Sequence, residues 1–304
     1  MGWGAPQAMT HPNSPEVYAL LGPTASGKTA VAALVAGRLG TEVVSADALQ
    51  VYRGLPLLTN QPSASTRLVA IRSLAQTMSV GEYAGLAHAM IDELVATKGA
   101  AVVAGGTGLY LRAALVDLAI PPAPANGARK RWEQAYDADP EAAYRRLVHV
   151  DPSAAAAVHP NDRRRVVRGL ELAEAGASLR PTADRLWSGD LRRPTLIVGL
   201  DVPADVLDER IRRRTEAMLE AGVVEEVRAA TAGSISRTAA KALGLSALAT
   251  LPPDEAREEI VARTRRYASY QRKWMRRVPG LVMIDGDRPP EQVADAVLDL
   301  ARGR

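Results

Sequence analysis

The sequence predicts an α/β protein: a parallel sheet flanked by helices and carrying an all-helical insertion. Three observations predict it. Short apolar runs rich in β-branched residues alternate with amphipathic helical stretches, the pattern of strands buried on both faces of a parallel sheet. A glycine-rich loop joins the first run to the first helical stretch. A proline-rich break, Pro121-Pro122-Ala123-Pro124, is followed by helical patterns with no convincing strand until after Arg193.

In chain order, residues 1–15 hold Gly, Pro, Ser and Asn without periodicity and are expected to form a disordered leader. Val17-Tyr18-Ala19-Leu20-Leu21 is the first strand, and the helix from Lys28 to Leu39 places Val31, Leu34, Val35 and Leu39 on one face. Strands are expected over 42–46, 100–104, 196–200 and 281–284. The helical patterns after the proline break cover 127–138, 141–148 and 162–175, and long helices follow over 205–221 and 254–275. The core is therefore expected to span 16–120 and 194–304, with the insertion over 121–193.

The 304 residues suffice for roughly two domains at about 150 residues each. Cysteine is absent, which excludes a disulfide framework, thiolate catalysis and cysteine-ligated metals. The histidines (His11, His88, His149 and His159) are too scattered to suggest a metal site. No apolar run approaches the ~20 residues of a membrane span, and the N-terminus lacks a basic-then-apolar signal, so a cytoplasmic protein is expected. Of the 38 basic residues five are lysines, leaving 38 − 5 = 33 arginines, so what matters is where the arginines cluster. Guanidinium forks suit phosphate and nucleic acid.

Gly22-Pro23-Thr24-Ala25-Ser26-Gly27-Lys28-Thr29, between a strand and a helix, is the P-loop pattern and makes the expected core P-loop NTPase-like. Its glycines let backbone N–H groups converge on a phosphate at a helix N-terminus. Lys28 neutralises phosphate charge, and the Thr29 hydroxyl is a candidate Mg²⁺ ligand. The strand over 100–104 ends in Gly105-Gly106-Thr107-Gly108 without the carboxylate a nucleotide-driven motor places there. Ser45-Ala46-Asp47 instead brings a carboxylate to the strand rim beside the loop. On this pattern alone Asp47 is equally a cap for a helix over 48–51 and a catalytic group.

Four ordered segments carry a resemblance: the P-loop; Ser45-Ala46-Asp47-x-x-Gln50-Val51-Tyr52-Arg53-Gly54; Gly105-Gly106-Thr107-Gly108-Leu109-Tyr110; and His159-Pro160-Asn161-Asp162-x-Arg164-Arg165-x-x-Arg168. With the tail Arg265-Arg266-Tyr267-Ala268-x-x-Gln271-x-x-Trp274, they resemble the tRNA dimethylallyltransferases over about 18–277. The resemblance implies transfer of a dimethylallyl group from dimethylallyl diphosphate to N6 of the adenine 3′-adjacent to the anticodon. It implies Asp47 as the base, with Thr107 at the target nucleotide. The diphosphate is implied to rest on Gly22, Pro23, Thr24, Ala25, Ser26, Gly27, Lys28, Thr29 and Arg214, with Mg²⁺ on Thr29. Contact with the tRNA anticodon stem-loop is implied for Asp47, Ala48, Leu49, Gln50, Thr107, Arg129, Arg164, Arg165, Val166, Val167 and Arg168. The flipped adenine is expected between core and insertion, and the enzyme is expected to be a monomer.

Arg164 and Arg168, four apart on a helix that Asn161 or Asp162 caps, are read as one basic stripe. Tyr267, Tyr270 and Trp274, at i, i+3 and i+7, are read as core packing. Arg263, Arg265, Arg266, Arg272, Lys273, Arg276 and Arg277 around them are read as facing RNA phosphate. Against the family's usual pattern the chain has Ala48 for Ser, and Leu58-Thr59-Asn60-Gln61-Pro62 for Gly-Thr-Ala-Lys-Pro. It also has Ile71-Arg72-Ser73-Leu74 near the usual His-His pair, and Ala242-Leu243-Gly244-Leu245-Ser246 near the usual Ile-Gly-Tyr-Lys. These departures are expected on the RNA-facing and diphosphate-facing walls. The alternatives are a small-molecule kinase, an adenosine-phosphate isopentenyltransferase and a non-catalytic RNA-binding protein.

Overall fold

The computed structural model describes residues 14–62, 66–118, 127–179 and 189–303. All but the last two residues of the expected leader lie outside them, as does the proline break itself. The chain divides into two compact units, 1–117 with 186–304, and 118–185.

The first unit opens with β1 (Val17–Leu21), buried along its whole length, and α1 (Lys28–Leu39). β2 (Val43–Ser45) is shorter than the expected 42–46, and β3 (Thr66–Arg67) is a two-residue strand with no pattern to announce it. α2 (Val80–Lys98) starts at a capping box in which Ser79 and Glu82 satisfy each other's backbone N–H groups. β4 (Ala101–Gly105) leads into α3 (Gly108–Leu115).

The second unit holds α4 (Ala128–Ala138), α5 (Pro140–Val150), α6 (Pro152–Ala155) and α7 (Arg163–Glu174), with no strand among its described residues. Asp162, rather than Asn161, caps α7 by accepting from the Arg165 N–H at 3.1 Å. Its core joins Tyr136, Leu147, Val158, Val166, Val167 and Leu170. The insertion expected to run to 193 ends earlier. The Arg193 guanidinium donates to Asp92 and Glu16, each at 2.7 Å, which ties the segment before β5 back to the first unit.

The first unit resumes with β5 (Thr195–Asp201), α8 (Ala204–Glu220), α9 (Val223–Thr231), α10 (Leu245–Thr250), α11 (Pro253–Met275), β6 (Leu281–Asp285) and α12 (Pro290–Arg302). The sheet has six strands, all parallel, in the order β3-β2-β4-β1-β5-β6. β1 lies between β4 and β5, so the order reverses there, and the crevice beyond the carboxyl ends of these strands is where such sheets bind ligands. Leu21 is paired with Gly105, so the two glycine-rich loops leave the sheet side by side.

Candidate active site

The P-loop turns into α1 through Gly27, whose φ of 84° is the left-handed conformation that glycine adopts without strain. A Cβ on Gly22 would overlap Ser26 Oγ, which would have to turn away to admit it. Ser26 Oγ is buried without a hydrogen-bond partner among the described residues. Lys28 Nζ donates to the Pro23 carbonyl at 3.2 Å. Burial lowers the Lys28 pKa to about 8, Asp47 opposing the shift and Arg214 adding to it. The Arg214 guanidinium, on α8, donates to Thr24 Oγ1 at 3.0 Å. Burial lowers its pKa, yet a guanidinium stays charged.

Asp47 stands across the pocket. Residues 48–51 form turns rather than a helix, so the helix-cap alternative does not hold. Asp47 Oδ1 accepts the Leu49 N–H at 2.9 Å and stiffens the turn. Gln50 accepts from Ser45 Oγ at 2.8 Å and donates to the Asn60 carbonyl at 2.8 Å, anchoring the 58–61 segment. Thr107 precedes α3 without capping it. Its Oγ1 lies 3.4 Å from both the Ala48 nitrogen and the Tyr267 hydroxyl. Burial, reinforced by Asp47, pushes the Tyr267 phenol up to about 12, so it remains a donor at neutral pH.

One pocket is lined by Thr24, Lys28, Thr29, Asp47 and Arg214 on its polar side, and by Leu49, Leu58, Ile211, Met218, Leu243 and Ile260 on its apolar side. It offers two cations for an anion, one carboxylate for a proton, and an apolar wall for a hydrocarbon. Among the described residues no cluster of three or more His, Cys, Asp or Glu groups could hold a metal. Mg²⁺ needs none, because it keeps waters and shares phosphate oxygens. The Thr29 hydroxyl and the Asp47 carboxylate line the same pocket and fit that donor pattern.

The structure corrects several expectations. Val166 and Val167 are fully buried, so their side chains pack the second unit's core instead of meeting RNA. Arg168 donates to the buried Glu171 at 3.0 Å, and Arg129 lies 3.5 Å from the same carboxylate and 3.2 Å from Glu133. The stripe of Arg164 and Arg168 is thus divided: Arg164 is exposed, Arg168 is engaged. Arg165 is exposed, 3.6 Å from Asp162.

On α11, Tyr270 is 62% exposed, Tyr267 lines the pocket and Trp274 fills the space that a Cβ on Gly108 would occupy, so the aromatic stripe is not simple core packing. Arg263, Arg265 and Arg272 pair with Glu259, Asp208 and Asp201. Arg266, Lys273 and Arg276 are exposed without an ion pair among the described residues. Of the departures, Leu58 lines the pocket, Gln61 donates to the Tyr52 carbonyl at 2.7 Å, and Leu245 is core rather than wall. Sequence reasoning assigned nothing to Ile211, Met218 or Ile260, and placed Gln271 only within the α11 signature, without a contact. Only their α8 and α11 periodicity, with Gln271 one turn after Tyr267, hints at a shared face.

Among the described residues no helix is long and apolar enough to cross a membrane. The P-loop sheet, with Lys28 and Arg214 facing Asp47 across one pocket, has the architecture of a P-loop group transferase. The comparisons narrow that class. A model described as IPP transferase matches residues 50–278, and one described as isopentenyl transferase matches 15–82. A tRNA dimethylallyltransferase of Streptomyces coelicolor is 40% identical, covering 90% of this chain and 92% of the relative. That of Kineococcus radiotolerans is 39% identical, covering 97% and 96%. The crystal structure of a tRNA isopentenylpyrophosphate transferase from Bacillus halodurans superposes with a TM-score of 0.67 at 28% identity, over 95% of this chain and 96% of that one. A eukaryotic dimethylallyltransferase crystallised acting on tRNA shares the fold, with a TM-score of 0.77 at 21% identity over 96% and 80%. The chain belongs to the tRNA dimethylallyltransferase family and is a prenyltransferase.

Proposed function

We propose that this enzyme transfers the dimethylallyl group of dimethylallyl diphosphate to the exocyclic N6 of the adenine 3′-adjacent to the anticodon of tRNA. The observation that carries this reading is the single pocket in which Lys28 and Arg214 face Asp47 beside an apolar wall. P-loop amides, Lys28 and Arg214 hold the diphosphate, and the hydrocarbon lies against Leu49, Met218 and Ile260. The allylic C–O bond breaks as the N6–C bond forms. Its electron pair leaves on the diphosphate, where the two cations and the helix N-terminus stabilise the growing charge. Asp47 accepts the N6 proton, which an amine conjugated to a purine must lose. Thr107, with Tyr267 behind it, positions the base.

Mg²⁺ would be held by the Thr29 hydroxyl and would supply further neutralisation of the leaving group's charge. For tRNA contact, the exposed Arg164 and Arg165 and the α11 cations Arg266, Lys273 and Arg276 are the available groups, with Asp47–Gln50 at the target nucleotide. The protein works as a cytoplasmic monomer on this reading.

The test is incubation with Mg²⁺, unmodified tRNA and dimethylallyl diphosphate, followed by digestion and mass analysis. Isopentenyl adenosine is the expected product. Phosphoryl transfer from ATP in a parallel sample, with no prenylated nucleoside, overturns the reading.

A further inference from the structure

We propose that Gln271 is a positioning residue that sets the spacing between the diphosphate cradle and the acceptor loop; this rests on the transferase reading above. The cradle follows β1 and the acceptor loop follows β4, strands paired to their last residues at Leu21 and Gly105. Beyond that point both loops attach to one side chain of α11. Gln271 Oε1 accepts the Thr24 N–H at 2.8 Å, and its Nε2 donates to the Gly106 carbonyl at 2.8 Å. Gln271 is 4% exposed, and its donor and acceptor are held apart by a rigid planar group.

Each attachment lies one step from the chemistry. Thr24 is the residue whose hydroxyl receives Arg214, and Gly106 precedes Thr107. A Cβ on Gly106 would overlap Gln271 Nε2, so the loop approaches as closely as it does only because residue 106 is glycine. In the transfer, bond making at nitrogen and bond breaking at the diphosphate occur along one line. The spacing of the two loops therefore matters more in the transition state than in either substrate's binding.

Gln271→Met keeps length and removes both hydrogen bonds; Gln271→Glu keeps the acceptor and removes the donor. Steady-state kinetics with dimethylallyl diphosphate and tRNA, and calorimetric binding of inorganic diphosphate, are measured on both and on the wild type. The expected result for Met is a kcat about 100-fold lower, the scale of a misplacement of about 1 Å. For Met both KM values stay within about threefold and diphosphate binding is retained; Glu, which sets a second acceptor against the Gly106 carbonyl, lowers kcat by at least about 10-fold. A Met variant with unchanged kcat overturns the proposal. So does one that loses diphosphate binding or folding, or whose defect lies in KM with kcat intact. A wild-type protein that fails to prenylate tRNA refutes the transferase reading instead.

Discussion

Arg214 in the first unit and Arg129 and Arg168 in the second are satisfied in opposite ways. In the first, Arg214 lines a pocket where its hydrogen-bond partner is a neutral hydroxyl, which on the proposed function leaves its charge for the diphosphate. In the second, Arg129 and Arg168 are spent on Glu171, a carboxylate with a fully buried side chain. A buried carboxylate requires compensation, and removing one partner of such a pair is costly. The difference teaches that an arginine's task is set by what already satisfies it, and that thirty-three arginines in one chain are not thirty-three phosphate contacts.

Perturbing each side in turn sharpens this contrast. The largest expected effect is in the first unit: Lys28→Ala lowers kcat/KM about 1,000-fold, the scale of losing a group that stabilises transition-state charge, with thermal stability unchanged. In the second unit Arg168→Ala acts the other way. It lowers unfolding stability by about 3 kcal/mol in denaturant titration, because Glu171 loses a partner, while the enzyme that remains folded turns over normally.

Next comes pH. With the Lys28 pKa at about 8 in the free enzyme, the ammonium is present below that pH and lost above it. A bound diphosphate favours the charged form, so donor affinity, read by calorimetry with inorganic diphosphate, holds below pH 8. It weakens by up to about tenfold per pH unit above it. At the apolar wall, Met218→Ala should raise the relative use of geranyl diphosphate over dimethylallyl diphosphate by about 10-fold in competition assays, since buried methylenes are worth ~1 kcal/mol each. The smallest effect belongs to Arg164→Ala. It should weaken tRNA binding a few-fold and reduce the salt slope by about 0.7–0.9, without altering stability. An Arg164 variant that unfolds, or an Arg168 variant that is stable and loses only tRNA affinity, breaks the distinction.

Much of the fold was legible because its signals are local. The P-loop, Asp162 before α7 and the long periodicities of α8 and α11 need only neighbouring residues to be read. β3 was not legible, since two residues carry no period, and the edge of the insertion was missed because Arg192 and Arg193 are fixed by the distant Asp92. In the site, Lys28 and Thr29 stand out from the P-loop motif, whereas rim position left Asp47 open between a cap and a catalytic group, and only the family resemblance proposed its role. Gln271 was legible only as a member of the α11 signature, because its contacts exist only once α11 lies across two loops that are 247 and 165 residues away in sequence. Val166 and Val167 show the converse error: a motif marks a segment, and the helix then turns the side chains of one face inward, here Val166, Val167 and Leu170.

Asp47→Asn isolates the central chemistry. The amide keeps an oxygen to accept the Leu49 N–H, so the turn survives, but it is not a base at nitrogen. Single-turnover transfer from labelled dimethylallyl diphosphate is followed while tRNA binding is measured on the same sample. The account predicts a transfer rate reduced at least about 100-fold with tRNA affinity within about threefold of wild type. Transfer at the wild-type rate by the Asn variant contradicts it.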